Sequence, residues 1–237
     1  MSESKENISS KGSGLYILLG VFFAVLAMFF ASIVALESVL FSHSYYIKLE
    51  DSFNMSDKMN LTKDGYIRYY NCYMTYLSEG DKSALEAEAG ISDNRSLFSQ
   101  EDKASLASFR GTYVFLSVAK WVALALCAGI LIIVFVRASK AEVRLIGRTS
   151  GIAVPLITAA LYAVYLYINK ILPPIIPDIA QSGLLNIFMN AQVLDKFYSS
   201  WITMCAVFAV APFAVSLFFA NVGKRKHEDI TDDYMYQ

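Results

Sequence analysis

The chain has 237 residues with 56% hydrophobic content and a mean hydropathy of +0.44, which excludes an ordinary soluble domain of this length. A formal net charge of −1 leaves no basic excess for nucleic acid, and the basic residues gather at the ends of apolar runs. With two histidines in all and no C-x-x-C, H-E-x-x-H or phosphate-cradling glycine pattern, the sequence implies no metal site and no cofactor.

Residues 1–14 are rich in Ser, Lys, Glu and Gly and are expected to form a disordered cytoplasmic tail. Leu15–Leu36 then runs without a charge, long enough to cross roughly 30 Å of hydrocarbon. The first span is expected over 15–42. It is too long for the apolar core of a signal peptide, and no clear small-residue cleavage site follows it. Glu37 lies within a turn or two of the hydrocarbon edge, where a carboxylate either snorkels at the helix end or faces a polar partner. His43 sits at the outer end of the same span, and Tyr45 and Tyr46 suit the interface.

The loop at 43–111 is too long to be a connector. Within it, Tyr66, Tyr69/Tyr70, Tyr73 and Tyr76/Leu77 recur at helical spacing and predict an amphipathic helix over Thr62–Leu77, with Gly80 available as its stop. The tyrosine face either packs on a neighbouring loop helix or walls a lipid-accessible cleft. Asn54, Asn60 and Asn94 are formal glycosylation acceptors, a tripeptide pattern common by chance. Of the three cysteines only Cys72 lies outside the spans, so the monomer has no pair for an extracellular disulfide, which argues against tetraspanin-like and claudin-like proteins. Before the second span, Ser99 and Asp102 form a Ser-x-x-Asp capping pattern. From there Phe98, Glu101/Asp102, Ser105, Ser108/Phe109 and Thr112 can share one side of a helix that carries a polar seam to the membrane.

The second span is expected over 112–137, with Lys120 as its single interior charge. That lysine either snorkels along its own stem or points into a polar interior. The connection at 138–150 carries Lys140, Arg144 and Arg148 against Glu142. The third span, 151–169, contains Pro155; a second outer loop, 170–197, contains Pro173, Pro174 and Pro177, which forbid a continuous helix, and an apolar segment Gly183–Met189 suited to the interface. The fourth span, 198–222, has Pro212 near its middle, where a kink is expected, and the tail at 223–237 opens with Lys224, Arg225 and Lys226. The distribution of basic residues predicts a multi-pass plasma-membrane protein with both termini in the cytoplasm. The fold class is therefore an all-α integral membrane protein: a four-helix transmembrane bundle with a partly helical extracytoplasmic cap. No polar stripe repeats through the spans as a channel would need, and nothing in the sequence sets an oligomeric state.

Against this layout the first outer loop resembles the bacterial lipoprotein intramolecular transacylase family, small four-span membrane proteins found mostly in low-GC Gram-positive bacteria. The resemblance rests on Met55-Ser56, on the helix ending in Tyr76-Leu77 and Gly80, and on an ungapped block from Leu97-Phe98 to Arg110 before the second span. It covers most of the chain. The block departs from the family pattern at its specific positions: Ser105 stands where the family has a histidine and Ser108 where it has an aspartate, while the acidic position is kept as Asp102. The family's second histidine belongs in the later outer loop, and residues 169–198 contain none.

The resemblance implies transfer of an acyl chain from the glyceryl moiety of a lipoprotein's N-terminal diacylglyceryl-cysteine to the cysteine amine. Such a transfer needs a base, a donor for the developing oxyanion and exclusion of water. A serine cannot replace a histidine base unaided. One reading is an acyltransferase with a rearranged site, in which Asp102, Ser105 and His43 are the catalytic candidates, with Glu37, Ser108, Arg110, Tyr73 and Lys120 placed against substrate. A second is a scaffold that has lost catalysis and binds membrane lipid or lipoprotein N-termini as an accessory protein. A small transporter or sensor is the third.

Overall fold

The computed structural model describes residues 10–90, 93–171 and 191–222. The break at Pro173, Pro174 and Pro177, the segment Gly183–Met189 and most of both terminal tails lie outside the described residues. Four helices are long and apolar enough to cross a membrane: α1 (Ser10–Leu40), α5 (Gln100–Arg137), α6 (Lys140–Ile171) and α7 (Ala191–Asn221). Between α1 and α5 lie α2 (His43–Phe53), α3 (Met55–Lys58), α4 (Lys63–Glu79), a 3-10 turn (Lys82–Glu86) and a hairpin of β1 (Glu88–Gly90) with β2 (Asp93–Ser96). The fold is an all-α transmembrane bundle with a helical cap, and the antiparallel hairpin is a small addition to it. Its strands, EAG and DNRS, lack the apolar alternation that announces a strand.

Local chemistry explains where the helices begin. At the start of α5, Ser99 N–H and Oγ both donate to Asp102 Oδ2 (3.0 and 2.7 Å), while Asp102 N–H donates to Ser99 Oγ at 3.0 Å: a reciprocal capping box. The helix then runs unbroken for 38 residues, about 57 Å, from this polar cap through the apolar run. A second box starts α6: Ser139 N–H donates to Glu142 Oε2 at 2.6 Å and Glu142 N–H returns to Ser139 Oγ at 3.4 Å. Only Ala138 and Ser139 therefore separate α5 from α6, and Arg144 and Arg148 stand on a helix rather than in a loop. Pro155 and Pro212 both lie inside continuous helices. Near them Thr158 Oγ1 donates to Val154 O and Ser216 Oγ to Pro212 O, local bonds that satisfy side chains within a span.

The chain divides into two compact units: 1–32, 120–161 and 205–237 form the first; 33–119 and 162–204 form the second. In the first, Phe23, Cys127, Ile130, Val134, Ile146 and Phe219 form one buried cluster, and Ala24, Met28, Val154 and Ala209 another. Outward-facing Ile132, Phe135, Val136, Ile152 and Phe218 are exposed large apolar side chains, suited to hydrocarbon. Close helix approach is set by small residues. A Cβ on Gly20 would meet Ile146 O at 3.0 Å, and one on Gly147 would strike the Ala220 nitrogen and lie 2.7 Å from the Phe219 carbonyl carbon. Gly147 and Gly151 form a Gly-x-x-x-Gly pair on α6, fitting α7 where Ser216 and Phe219 are buried.

Candidate functional site

The second unit owes its core to tyrosine. Tyr45, Tyr46, Tyr66, Tyr69, Tyr70 and Tyr76 are all buried, together with Leu49, Met55, Leu85, Phe98, Leu106 and Val193. Capping fixes the elements that carry them. Ser42 Oγ accepts from Tyr45 N–H at 3.3 Å to start α2, and Asn54 ends it in the left-handed region with φ 47°. Thr62 Oγ1 accepts from Gly65 N–H at 3.1 Å to start α4, and Gly80 stops it with φ 78°. The stop is clamped by Arg110, whose Nε donates to Tyr76 O at 3.2 Å and whose guanidinium lies 5.8 Å from the Tyr76 ring centre. At the turn between α2 and α3 the buried Glu50 accepts from Ser56 N–H (2.7 Å) and Ser56 Oγ (2.5 Å), so a carboxylate taken out of water has donors on both oxygens.

Two cavities open within this unit. The first, of about 180 Å³, is lined by Leu40, Leu49, Leu106, Phe109, Phe197 and neighbouring aliphatics, with Tyr45, Tyr46, Tyr69 and Tyr73 among them; among the described residues none that lines it is charged. The tyrosine rings interlock around it. Tyr45 meets Tyr46 edge-on at 5.3 Å and Phe197 at 6.1 Å, and Tyr69 stacks on Phe98 at 4.6 Å. The tyrosine stripe of α4 thus both packs on α2 and walls a cleft. Tyr45 is 8% exposed, and its buried hydroxyl has no hydrogen-bond partner among the described residues.

Burial drives the phenols the same way. Desolvation raises the Tyr45, Tyr46 and Tyr73 hydroxyls, and Tyr69 is raised by desolvation first and by the Asp102 carboxylate second. Since their folded values exceed the unfolded value of about 10, their contribution to stability is intact below pH 10 and is lost as pH rises above it. The expected result is a melting temperature in detergent that falls beyond pH 10, and less steeply in a Tyr46→Phe variant. A flat profile from pH 9 to 12 would contradict the buried placement of these rings.

The second cavity, of about 170 Å³, is lined by His43, Tyr46, Ile47, Glu50, Asp51, Lys63, Tyr66, Ile67 and Tyr70. His43 is exposed, with its ring 5.8 Å from that of Tyr70. Tyr66 donates to Tyr46 O at 3.2 Å across α2 and α4.

The residues singled out in the sequence are dispersed. Asp102, 2% exposed, is engaged with Ser99 in the α5 cap. The buried line of α5 runs through Asp102 and Leu106, and Ser105 and Ser108 stand exposed beside it. None of Asp102, Ser105 and Ser108 lines either cavity; His43 lines the second and Tyr73 the first. Arg110 holds the end of α4. Glu37, half-buried, interacts with Tyr113 of α5, so the carboxylate at the end of the first span has a polar partner. Lys120 belongs to the first unit, buried, with Nζ 5.6 Å from the Trp121 ring centre. Glu50 has no signal in the sequence, and the buried placement of Tyr45 has none either. Tyr45 reads as an interface aromatic, and nothing but the Glu50–Ser56 contact itself marks Glu50 as buried. Among the described residues no group of His, Cys, Asp and Glu is arranged to hold a metal.

The sequence matches no protein-family model and no curated protein. The fold does have counterparts. The structure is similar to a class of membrane-integral acyl-transferring proteins, with agreement over nearly the whole chain. These are in meso structures of the membrane integral lipoprotein intramolecular transacylase Lit from Bacillus cereus. One matches with TM-score 0.63 at 11% identity, covering 94% of this chain and 99% of Lit. A variant with a histidine replaced by arginine gives 0.57 at 13% over 95% of both chains. A variant with a histidine replaced by alanine gives 0.59 at 12%, over 94% and 96%. This chain shares the fold of Lit.

Proposed function

We propose that the protein is a divergent member of the lipoprotein intramolecular transacylase family that has kept the lipid-holding scaffold and given up the reaction. In this reading it is a plasma-membrane protein with both termini cytoplasmic and with residues 43–111 and 170–197 outside. It binds an acylated ligand, a membrane lipid or the lipidated N-terminus of a lipoprotein. The observation that carries the reading is the uncharged, tyrosine-walled cavity of about 180 Å³, whose lining includes neither Asp102 nor Ser105. An apolar pocket with a few polar groups is what an acyl chain needs. Acyl transfer needs a base within reach of the amine as well, and Asp102 is already committed to capping α5.

A second reading, acyl transfer from a rearranged site, is favoured by His43 lining a cavity together with the buried Glu50. One experiment separates the two. N-terminal lipopeptides are analysed by mass spectrometry from a host lacking N-acylating enzymes, with and without this protein, and the purified protein is analysed for bound acyl species. The expected result is unchanged lipopeptides with an acylated molecule retained by the protein. One acyl chain moved from glycerol to the cysteine amine would establish the enzyme, and loss of that shift in His43→Ala would locate its base. Unchanged lipopeptides with no retained acyl species would sink both readings.

A further inference from the structure

At the start of α6, in the first unit, Lys140, Arg144 and Arg148 recur every four residues and form one stripe about 12 Å long on the helix surface. Lys140 and Arg148 are exposed and Arg144 is half-buried, and none of the three pairs with a carboxylate among the described residues. Arg144 Nε donates to Lys140 O at 3.3 Å, which draws the guanidinium back towards Lys140 and leaves its two terminal nitrogens to donate elsewhere. The nearby acid, Glu142, lies two residues from both Lys140 and Arg144 and so on another side of the helix. There it accepts from Ser139 N–H and bonds the Tyr16 hydroxyl. The four-residue spacing then passes from charge into hydrocarbon: Ile152 and Leu156 follow on α6 at 63% and 64% exposure. The buried side of the helix, with Val143, Ile146 and Val154, faces away from this line. Topology asks only for basic residues near the end of a span, not for their alignment with one another and with a bare apolar strip.

We propose that this stripe binds an anionic glycerophospholipid, whose phosphate accepts from the guanidinium groups of Arg144 and Arg148 while one acyl chain lies along Ile152 and Leu156. Lys140 adds positive charge at the head-group end. A surface that is cationic at one end and apolar at the other matches a molecule with an anionic head and a hydrocarbon tail. Arginine suits the contact because its planar fork bonds two phosphate oxygens at once, where a lysine acts as a point charge. A zwitterionic lipid brings its own cation to the same surface and is held less tightly. The site shares no residue with either cavity of the second unit, so it does not depend on what those cavities hold.

The test titrates the purified full-length protein in detergent with dioleoylphosphatidylglycerol and dioleoylphosphatidylcholine, which carry the same chains, and counts bound lipid by native mass spectrometry. Wild type is expected to bind phosphatidylglycerol about ten-fold more tightly, near the lower end of what a hydrogen bond to a charged group supplies. A double variant, Arg144→Lys with Arg148→Lys, keeps every positive charge, and with it the charges that orient the chain in the membrane, but removes both forks. Its preference is expected to fall to about two-fold. An undiminished preference in the double variant would reduce the stripe to diffuse electrostatic attraction and overturn the site. Equal binding of the two lipids by wild type would overturn it as well. Glycerol 3-phosphate, a phosphate on glycerol without chains, separates head group from tail on the wild-type protein. It is expected to displace phosphatidylglycerol only at roughly a hundred-fold higher concentration, the contribution of three or four buried methylenes. Displacement at matching concentration would show that the apolar strip takes no part, and the assignment to a lipid would fall.

Discussion

Gly147→Ala is expected to lower the melting temperature of the detergent-solubilised protein, with a cost of about 1–3 kcal/mol, the range of overpacking. Gly151→Ala, one turn further along α6, should leave it unchanged or raise it. Both glycines sit on the same face of the same helix, so neither helix propensity nor hydrophobicity separates them. What separates them is the neighbour. A side chain on Gly147 meets backbone, with the Phe219 carbonyl carbon at 2.7 Å and its Cβ at 2.8 Å, and a helix backbone cannot rotate away as a flexible side chain can. A Cβ on Gly151 would lie 3.7 Å from Ser216 Cβ, an ordinary contact that adds packing. In hydrocarbon, where apolar burial gives helices little reason to associate, such close approach supplies much of the packing. Equal melting temperatures for the two variants would show that α6 and α7 are not as close at this point as the structure has them.

Much of this architecture is legible in the residues. Apolar runs of membrane length, interrupted by a charge only at Lys120, announce the four long helices because a span must satisfy its backbone internally and its side chains in hydrocarbon. The α4 stripe and the Ser99–Asp102 box are equally visible, since each depends on residues within a few positions of one another. Other local signals were present and unread: Ser139-x-x-Glu142, which begins α6 early, and Gly147-x-x-x-Gly151. The site was less accessible. Helical spacing allows Ser105 to share a face with Asp102, yet which edge of that face is buried depends on partners distant in sequence, and these favour Leu106 over Ser105. Arg110 donates to Tyr76 O near the end of a helix, 34 residues earlier, and Glu50 finds its donors only because Asn54 turns the chain back through the left-handed region. An orphaned hydroxyl such as that of Tyr45 has no sequence signature at all, because it is defined by what does not surround it.

Tyr66 provides the sharpest measure of whether tyrosines build the second unit or merely decorate it. It is 1% exposed, reaches from α4 to donate to Tyr46 O on α2, and lines the cavity that holds His43 and Glu50. Tyr66→Ala removes a large buried ring and is expected to cost about 3–5 kcal/mol, comparable to other aromatic truncations in cores. Tyr66→Phe keeps the ring and loses one neutral hydrogen bond to a carbonyl that also belongs to a helix ladder, so about 0.5–1.5 kcal/mol is expected. Unfolding followed by near-ultraviolet circular dichroism in detergent reads both. If the two variants lose similar amounts, the hydroxyl rather than the ring holds α4 to α2, and the cap is a polar network. If Tyr66→Ala costs no more than a surface substitution, α4 does not pack as described and both cavities lose their wall. The expected wide gap between the variants would mean that the aromatic face of α4 supplies the cohesion of the unit.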